Sequence, residues 1–335
     1  MKGKYSYLII LLFILTFQSC VQQEYYKIMG ETQGTTYHII YQYSKMLKPQ
    51  VDSILKEIDL SVSTYNPNSI ISKINRNENV ELDKHFIKVF NKVLEISEAT
   101  NGAFNVTVGP LVEAYGFGLG RKIKSITKQQ IDSILEFIDY KKIHIKGNKL
   151  VKDDPRIELD FNAIAQGYTV DVIAKYFDHL GIINYMVEVG GEVITKGKNK
   201  FGEPWRIGID KPIEGSTEAT REIQLIIGLK GSKKAIATSG NYRRFYIENG
   251  IKYTHIIDPH TGLPVRSNLL SVSILSNNCT DADGYATACM VLGLEKAIEL
   301  VNLKPNLDAF FIYIDNNGKY RFYYTPNFKK HILED

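Results

Sequence analysis

Apolar residues recur at helical spacing in three segments of the first half of the chain, 49–62, 84–99 and 127–140. Residues three and four positions apart share one face of a helix, so each segment is predicted to be an amphipathic helix with a buried face. Thr127 and Gln130 match a capping box at the start of the third segment. The apolar positions are Val51, Ile54, Leu55, Ile58 and Val62, then Phe86, Val89, Phe90, Val93 and Leu94, then Ile131, Ile134, Leu135 and Ile138.

Short runs rich in β-branched and aromatic residues fill most of the second half of the chain and predict strands. Before them, residues 156–161 are predicted to form a strand that turns directly into a helix over 162–181. Such a junction presents free N–H groups and the positive end of a helix dipole, so Asp160 at the end of this strand is a candidate ligand contact. Because helices come early and antiparallel strands late, we expect an α+β fold, rich in antiparallel sheet, with helices packed on the sheets.

Residues 235–265 concentrate polar side chains in a strand, a hairpin and a loop that contains proline. His255 is the best candidate base in this block, because an unperturbed histidine titrates near neutral pH. A histidine in a strand is also often only a hydrogen-bonded structural residue. A hydrolase built from Ser239, His255 and Asp258 is a further interpretation, although Ser239 lacks the G-x-S-x-G context of such enzymes.

Residues 280–293 are predicted to begin a helix directly after a strand. Asp283 and Thr287 lie four positions apart and therefore share a helix face, where a carboxylate and a hydroxyl can bind a hard cation such as Mg²⁺. Thr280 and Asp283 also fit a capping pair, which needs no metal. The sequence leaves both interpretations open.

Composition excludes several classes of protein. The chain of 335 residues is 44% hydrophobic and 23% charged, which is ordinary for a globular protein and not for a disordered one. Its 41 basic and 37 acidic residues form no block of like charge, so nucleic-acid binding is not expected. With only three cysteines, of which Cys20 lies in the leader, a disulfide framework is excluded and the other two are interpreted as buried thiols.

Residues 1–20 have the features of an export signal. Two lysines precede an apolar run over 5–17 that is short for a membrane-spanning helix. The run is followed by Gln-Ser-Cys, and Cys20 resembles the lipidated cysteine of bacterial lipoproteins. We therefore expect a lipoprotein signal peptide over 1–20, lipidation of Cys20, and a membrane-anchored protein of the bacterial envelope that faces the periplasm. Plain signal-peptidase cleavage and an uncleaved anchor are the alternatives.

Eight sequence blocks resemble, in the same order, those of the ApbE-like FAD:protein FMN transferases, which include relatives called thiamine-biosynthesis lipoproteins. The blocks are GETQGTTY, STYNPNSIISKIN, NGAFNVTVGPLV, DFNAIAQGYTVD, VEVGGEV, ATSGNY, HIIDPHTGLP and DADGYATACMVLG. The resemblance extends from about Tyr26 to the C-terminal hairpin. It implies one FAD:protein FMN transferase domain over 21–335, with the T-fold-like α+β architecture of the family.

The resemblance also implies a reaction. A Mg²⁺-dependent enzyme of this kind splits the pyrophosphate of FAD, attaches FMN through a phosphoester to a threonine or serine of a target protein, and releases AMP. The implied acceptors are exported flavoproteins, such as subunits of membrane redox ion pumps. Two alternatives stay open at this point: an FAD pyrophosphatase, in which water replaces the acceptor hydroxyl, and a flavin-binding lipoprotein without turnover.

Individual positions of this chain match the functional residues of the family. His255 matches the proposed catalytic histidine. Asp283 and Thr287 match the metal-binding side chains, and Ala163 matches a residue whose backbone carbonyl completes the metal site. The positions that match FAD contacts are Gln33, Tyr65, Ala103, Phe104, Asn105, Asp160, Gln166 and Ile256.

Overall fold

The fold is built around an eight-stranded antiparallel sheet. The computed structural model describes residues 24–118, 126–217, 219–248 and 250–333. The strands are β1 Glu24–Thr32, β2 Thr35–Tyr43, β3 Ile143–Lys146, β4 Lys149–Lys152, β5 Tyr185–Val189, β6 Glu192–Gly197, β7 Trp205–Asp210, β8 Ile223–Leu229, β9 Gly231–Gly240, β10 Phe245–Glu248, β11 Ile251–Thr254, β12 Leu269–Ser276, β13 Asp308–Ile314 and β14 Tyr320–Tyr324. The helices are α1 Lys48–Val62, α2 Ile70–Asn75, α3 Lys84–Ala99, α4 Gly109–Ala114, α5 Lys128–Leu135, α6 Ala165–His179, α7 Cys279–Leu292, α8 Leu294–Asn302 and α9 Pro326–Lys329.

Helices cover one face of the sheet and a hairpin covers the other. The strand order is β1-β2-β5-β6-β9-β12-β13-β14, and all neighbours are antiparallel. The helix α6 packs on β5 and β6, and α7 lies beside it on β9 and β12. On the other face, buried side chains of β7, β8 and α9 pack against β6, β9 and β12. The predicted α+β architecture is therefore confirmed, and no helix within the described ranges is long and apolar enough to cross a membrane.

The amphipathic pattern located the early helices well. The predicted segment 84–99 is α3, and 49–62 is α1 with one more residue at its start. The capping box of Thr127 and Gln130 is present at the start of α5. This helix ends at Leu135, however, and the prediction of a helix to residue 140 is wrong. After Leu135 the backbone forms tighter turns, in which the N–H groups of Phe137 and Ile138 donate to carbonyls three residues back.

The predicted strand 156–161 is wrong. Residue 156 lies in a turn and 157–161 belong to no strand, and the backbone groups of Leu159 and Asp160 bond outside any sheet. The side-chain amide of Asn75 pairs with both the N–H and the carbonyl of Leu159, at 2.8 and 2.9 Å, and the N–H of Asp160 bonds to the carbonyl of Val106 at 2.7 Å. A side chain from α2 thus takes the place of a neighbouring strand.

Candidate active site

A cavity of about 920 Å³ opens where the start of α6, one side of α7, the start of β6 and the end of β9 meet. Its size suits a cofactor-sized ligand. Most of the predicted site residues line it, although they lie far apart in the chain. They are Tyr65, Ala103, Phe104, Asn105, Asp160, Ala163, Gln166, His255, Ile256, Asp283 and Thr287.

The helices α6 and α7 are in close contact at Gly167. A Cβ atom on Gly167 would overlap the backbone oxygen of Cys279 and would lie 2.8 Å from the Cβ of Asp283, so a larger residue does not fit. This approach lets the N–H of Gly167 donate a hydrogen bond to Oδ2 of Asp283 at 3.0 Å. The positive end of α6 therefore binds a carboxylate of the protein itself.

Asp171, a residue of α6, holds the start of α7. Its Oδ1 accepts a hydrogen bond from the N–H of Cys279 at 2.8 Å. Its Oδ2 accepts from the N–H and the hydroxyl of Thr280, at 2.8 and 2.5 Å. A single carboxylate thus satisfies two backbone donors that a helix start leaves open. Asp283 follows one turn later, so its position depends on this contact.

The capping pair predicted from Thr280 and Asp283 is wrong. The N-cap is Asn278, whose side chain accepts a hydrogen bond from the N–H of Asp281 at 2.8 Å. The hydroxyl of Thr280 is taken by Asp171. Asp283 is consequently not a capping residue, and its side chain lines the cavity.

The oxygen atoms near Asp283 have the chemistry of a magnesium site. Asp283 and Thr287 line the cavity from one side of α7, and Ala163 lines it just before α6. The hydroxyls of Ser239 and Thr287 are 3.2 Å apart. Within the described ranges, no three His, Cys, Asp or Glu side chains form a metal cluster. Mg²⁺ is usually held by one or two carboxylates together with substrate phosphates, so this donor set fits a Mg²⁺ shared with a phosphate ligand.

A second buried carboxyl group lies in the cavity together with Asp283. Asp283 and Glu192 both line the cavity, and each is only 7% exposed. Burial raises the pKa of Asp283 to about 7, although the N–H of Gly167 opposes the shift. Burial also raises the pKa of Glu192 well above its ordinary value, and repulsion from Asp283 adds to this. A divalent cation would relieve this repulsion.

His255 lies just after β11 and lines the same cavity. Its Nδ1 is 3.1 Å from the carbonyl oxygen of Arg244, and its ring packs edge-on against Phe117. Because a carbonyl can only accept, Nδ1 carries the hydrogen and the lone pair is left on Nε2. Burial lowers the pKa of His255 to about 4, and the hydrogen bond to Arg244 opposes the shift. His255 is therefore neutral near pH 7 and able to accept a proton.

The Ser239, His255 and Asp258 interpretation as a hydrolase triad does not agree with the geometry. The Ser239 hydroxyl contacts Thr287, and Nδ1 of His255 faces a backbone carbonyl. Oδ1 of Asp258 accepts from the N–H of His260 at 2.9 Å, which closes a tight turn. None of the three side chains is bonded to another of the three, so this candidate hydrolase is wrong.

The predicted flavin contacts around Phe104 differ in exposure. Tyr65 is 51% exposed, so its ring is accessible for stacking. Ala103 and Phe104 are buried, and Oδ1 of Asn105 accepts from the N–H and the hydroxyl of Thr107, at 2.9 and 2.8 Å. Tyr65 therefore offers a stacking surface, whereas residues 103–105 shape a rigid wall.

Asp160 and Gln166 flank the turn into α6. Oδ1 of Asp160 accepts from the N–H of Asn162 at 2.7 Å, and burial raises the pKa of the Asp160 carboxyl. The Gln166 amide packs on Gly190, where an added Cβ would lie 2.7 Å from the Gln166 nitrogen. This packing holds the Gln166 side chain at the edge of the cavity.

Gln33 is the predicted flavin contact that is not among the residues lining the cavity. It lies in the turn between β1 and β2 with φ of 50°, and its side-chain nitrogen donates to the hydroxyl of Thr169 at 2.6 Å. Its Oε1 is buried without a hydrogen-bond partner in the described part of the chain. Contact between Gln33 and FAD stays a prediction.

Arg243 and Arg244 add positive charge to the cavity wall. Both can reach it because 241–244 form a bend between β9 and β10, and not a strand whose neighbours point to opposite sides. Arg243 pairs with Asp210, and Arg244 donates to the carbonyl of Phe117 at 2.8 Å. The two side chains are thus held at the cavity while keeping their charge.

Two carboxylates at the site, Asp171 and Glu192, were missed by sequence reasoning. Glu192 directly follows Gly190 and Gly191 and precedes the apolar pair Val193 and Ile194, and Asp171 lies between Val170 and Val172 in the helix predicted over 162–181. An acidic residue is rarely buried without a partner. A carboxylate at a position that the pattern predicts to be buried is the signal that could have found both.

Comparison with known proteins identifies the family of this chain. The sequence profile of the ApbE family matches residues 33–311. The chain belongs to the ApbE family. The FAD:protein FMN transferase of Haemophilus influenzae is 35% identical over 95% of both chains, and that of Vibrio cholerae is 35% identical over 97% of this chain and 98% of the relative.

Solved structures of ApbE proteins have the same fold. The flavin transferase ApbE from Vibrio cholerae superimposes with a TM-score of 0.82 and 36% identity, over 92% of this chain and 99% of that chain. The apo flavinyl transferase ApbE from Pseudomonas stutzeri gives 0.80 and 28%, over 92% and 97%. The family and the fold expected from the sequence are confirmed. The ApbE-family protein is thus an enzyme, and the names of its relatives support flavin transfer from FAD.

Proposed function

We propose that this ApbE-family enzyme is a Mg²⁺-dependent FAD:protein FMN transferase that joins FMN through a phosphoester to a threonine or serine of an exported protein and releases AMP. One observation carries the proposal. A single cavity joins a neutral histidine, the carboxylate and hydroxyl on α7, and all the predicted flavin contacts except Gln33. This reaction needs a general base, ligands for the metal ion and a surface that binds the flavin, and the cavity offers candidates for all three.

His255 takes the role of general base. The acceptor hydroxyl gives its proton to Nε2 of His255 while its oxygen attacks the phosphorus of the FMN half of FAD. The bond from this phosphorus to the bridging oxygen breaks, and AMP leaves with that oxygen and the electron pair. His255 then passes the proton to solvent. General-base assistance of this kind contributes about 10²–10⁴ in rate.

Asp283, Thr287 and the backbone carbonyl of Ala163 would hold Mg²⁺. When bound, the cation would offset the charge of the pyrophosphate and of the departing phosphate. Asp283 is held for this role by the N–H of Gly167, and the start of α7 is held by Asp171. The positions of the ligands thus depend on the contact between the two helices.

The proposal is tested with the full chain, purified in detergent and incubated with FAD and Mg²⁺. The acceptor is a purified, exported flavoprotein subunit of a membrane redox ion pump, added or left out. AMP is measured by chromatography, and covalent flavin by fluorescence of the denatured acceptor band. We expect AMP to be released only when the acceptor is present. The denatured acceptor band should then be fluorescent.

Two other outcomes favour the alternatives. AMP without acceptor indicates an FAD pyrophosphatase, and neither product indicates a flavin-binding lipoprotein without turnover. An acceptor with valine in place of its target threonine is the matched control, and its denatured band should show no flavin fluorescence. Chelation of divalent cations with EDTA should stop AMP release, and activity that persists in EDTA contradicts the metal dependence.

We also propose that lipidated Cys20 anchors the enzyme to the envelope membrane, facing the periplasm. Cys20 and the signal peptide over 1–20 lie outside the described residues. The support is the short apolar run and the cysteine that follows it. Each buried methylene of an acyl chain adds about 0.8 kcal/mol of membrane affinity. Cells grown with an alkyne-tagged fatty acid should label the wild-type protein and not Cys20→Ser, and equal labelling of both would exclude lipidation at Cys20.

A further inference from the structure

The carboxylate of Glu192 is placed at the cavity by a tight turn. Glu192 is the first residue of β6 and pairs with Val189 across the turn formed by Gly190 and Gly191. Side chains alternate along a strand, so Glu192 lies on the same face as Ile194. Ile194 packs in the core cluster beneath α6. Glu192 therefore lies on the side of the sheet that carries α6 and α7.

One oxygen of the buried Glu192 carboxylate lacks the partner that such an atom normally requires. Glu192 is 7% exposed, and its Oε2 has no hydrogen-bond partner within the described ranges. The nearby cation is Arg243, whose guanidinium is already paired with Asp210. A buried ionised group is unfavourable unless it is paired or binds a metal. This carboxylate is consequently available to a ligand in the cavity.

The charges that act on Glu192 favour a cationic ligand. The carboxylate of Asp283 repels it across the cavity, and that of Glu188 adds to the repulsion. Glu188 itself is fully engaged, because its Oε2 contacts His38 at 2.7 Å and its Oε1 accepts from the N–H of Gly191 at 2.8 Å. Of the two glutamates on this hairpin, Glu192 is thus the one with an unused oxygen.

We infer that Glu192 is a further ligand of the divalent cation, completing the site of Asp283, Thr287 and the Ala163 carbonyl. This inference rests on the proposed metal site. Mg²⁺ is typically bound through one or two carboxylates plus substrate phosphates, and Asp283 with Glu192 supplies two. The cation would relieve the repulsion between the carboxylates and satisfy the unpartnered oxygen. Binding of a shared cation by Asp283 and Glu192 would also explain why an acidic residue occupies the buried first position of β6.

The test measures binding of Mn²⁺ alone, without FAD. Mn²⁺ has a similar preference for oxygen ligands, and its unbound fraction is measured directly by electron paramagnetic resonance. The full chain in detergent is compared with Glu192→Gln, which keeps the shape and removes the charge. Glu188→Gln is the matched control on the same hairpin, and Asp283→Asn is the control for loss of the site. We expect Glu192→Gln to weaken Mn²⁺ binding at least about tenfold and Glu188→Gln to change it less than about threefold.

Thermal unfolding gives a second readout that separates a ligand from a structural residue. Without metal, Glu192→Gln should unfold at the wild-type temperature or above it, because the substitution removes a repulsive charge. With Mn²⁺, the rise in unfolding temperature expected for the wild type should be reduced, since a ligand stabilises the folded state more when it binds more tightly.

The outcomes distinguish the two levels of the proposal. Unchanged Mn²⁺ affinity in Glu192→Gln, with affinity lost in Asp283→Asn, overturns the role of Glu192 and leaves the metal site standing. No Mn²⁺ binding by the wild type overturns the metal site and the role of Glu192 with it. A lower unfolding temperature for metal-free Glu192→Gln, with normal Mn²⁺ affinity, shows that Glu192 is structural.

Discussion

The N–H of Gly167 donates a hydrogen bond of 3.0 Å to the Asp283 carboxylate, and this bond joins the start of α6 to the proposed metal site on α7. It exists because Gly167 has no side chain to keep the two helices apart. The bond fixes the position of Oδ2 of Asp283. It also brings the positive end of the α6 dipole close to a carboxylate whose charged form is disfavoured by burial. Metal affinity should therefore depend on how closely α6 and α7 pack.

Gly167→Ala should damage both stability and the metal site. Its Cβ would overlap the backbone oxygen of Cys279, which cannot move without shifting α7. Overpacking of this kind typically costs about 1–3 kcal/mol of unfolding free energy. We expect chemical denaturation to show a loss in that range. We also expect AMP release to require a higher Mg²⁺ concentration than in the wild type, because the metal site is disturbed. Gly109→Ala is the stability control, since its Cβ would lie an ordinary 3.5 Å from the Cβ of Asp160; equal stability of the two variants would contradict the prediction.

Asp171→Asn should destabilise the start of α7. The amide can replace only one of the two carboxylate oxygens that accept from Cys279 and Thr280. Because hydrogen bonds to charged groups contribute about 1.5–3 kcal/mol, we expect a loss of that size in the free energy of unfolding. Asp178→Asn, on the same helix, should cost less than about 1 kcal/mol, because Asp178 is partly exposed and pairs with lysines. The prediction fails if the two variants unfold alike.

Replacing His255 should slow transfer without preventing FAD from binding. His255→Asn removes the proton acceptor, and we expect a decrease of about 10²–10⁴ in the transfer rate. The FAD affinity, measured by flavin fluorescence, should stay within about threefold of wild type. His144→Asn, in the exposed hairpin of β3 and β4, is the matched control and should keep the wild-type rate. A fully active His255→Asn would remove His255 from the base role.

The dependence of the transfer rate on pH should reflect the low pKa of His255. Its pKa is lowered by burial from 6.5 to about 4, so the ring stays neutral well below pH 6.5. At saturating FAD and Mg²⁺, which keeps Asp283 ionised, the rate should show no decrease centred near pH 6.5. Such a decrease would indicate that the base titrates as an unperturbed histidine.

The same shift predicts lower stability in acid. The unfolded chain takes up a proton on His255 below about pH 6.5, whereas the folded chain takes it up only below about pH 4. Since the unfolded state binds more protons in this window, the free energy of unfolding falls as the pH decreases through it. His255→Asn should reduce this slope between about pH 6.5 and 4 in denaturation experiments, and an unchanged slope would contradict the assignment.

Ser239→Ala should have a small effect on transfer. The hydroxyl contacts Thr287 at 3.2 Å and is not bonded to His255, so it is not an activated nucleophile. Loss of one hydrogen bond corresponds to about 0.5–1.5 kcal/mol, and we expect a decrease in rate of at most about tenfold. A decrease of about 10⁴, together with a covalent intermediate in the wild type, would restore Ser239 as a nucleophile.

Local pattern was sufficient where an element depends on its own residues. The helix α3 matches its predicted bounds because its apolar face repeats at 3.6 residues and Asp83 caps its start. The capping box of α5 is equally local, since the side chains of Thr127 and Gln130 each accept a hydrogen bond from the other's backbone N–H. The site residues were predicted from ordered family motifs, and nearly all of them line one cavity.

Only the tertiary structure decided how the functional groups are paired. Segment 156–161 has the composition of a strand, but the backbone N–H of its Leu159 bonds to the side chain of Asn75 at the end of α2. The hydroxyl of Thr280 is bonded to Asp171, more than a hundred positions earlier in the chain, and the N-cap of α7 is Asn278. The sequence by itself determined the amphipathic helix α3, the capping box of α5 and the family, because periodicity and motifs are local. The hydrogen bond from Gly167 to Asp283 and the unpartnered oxygen of Glu192 arise only when α6, α7 and β6 pack together, because hydrogen bonding and burial depend on neighbours in space.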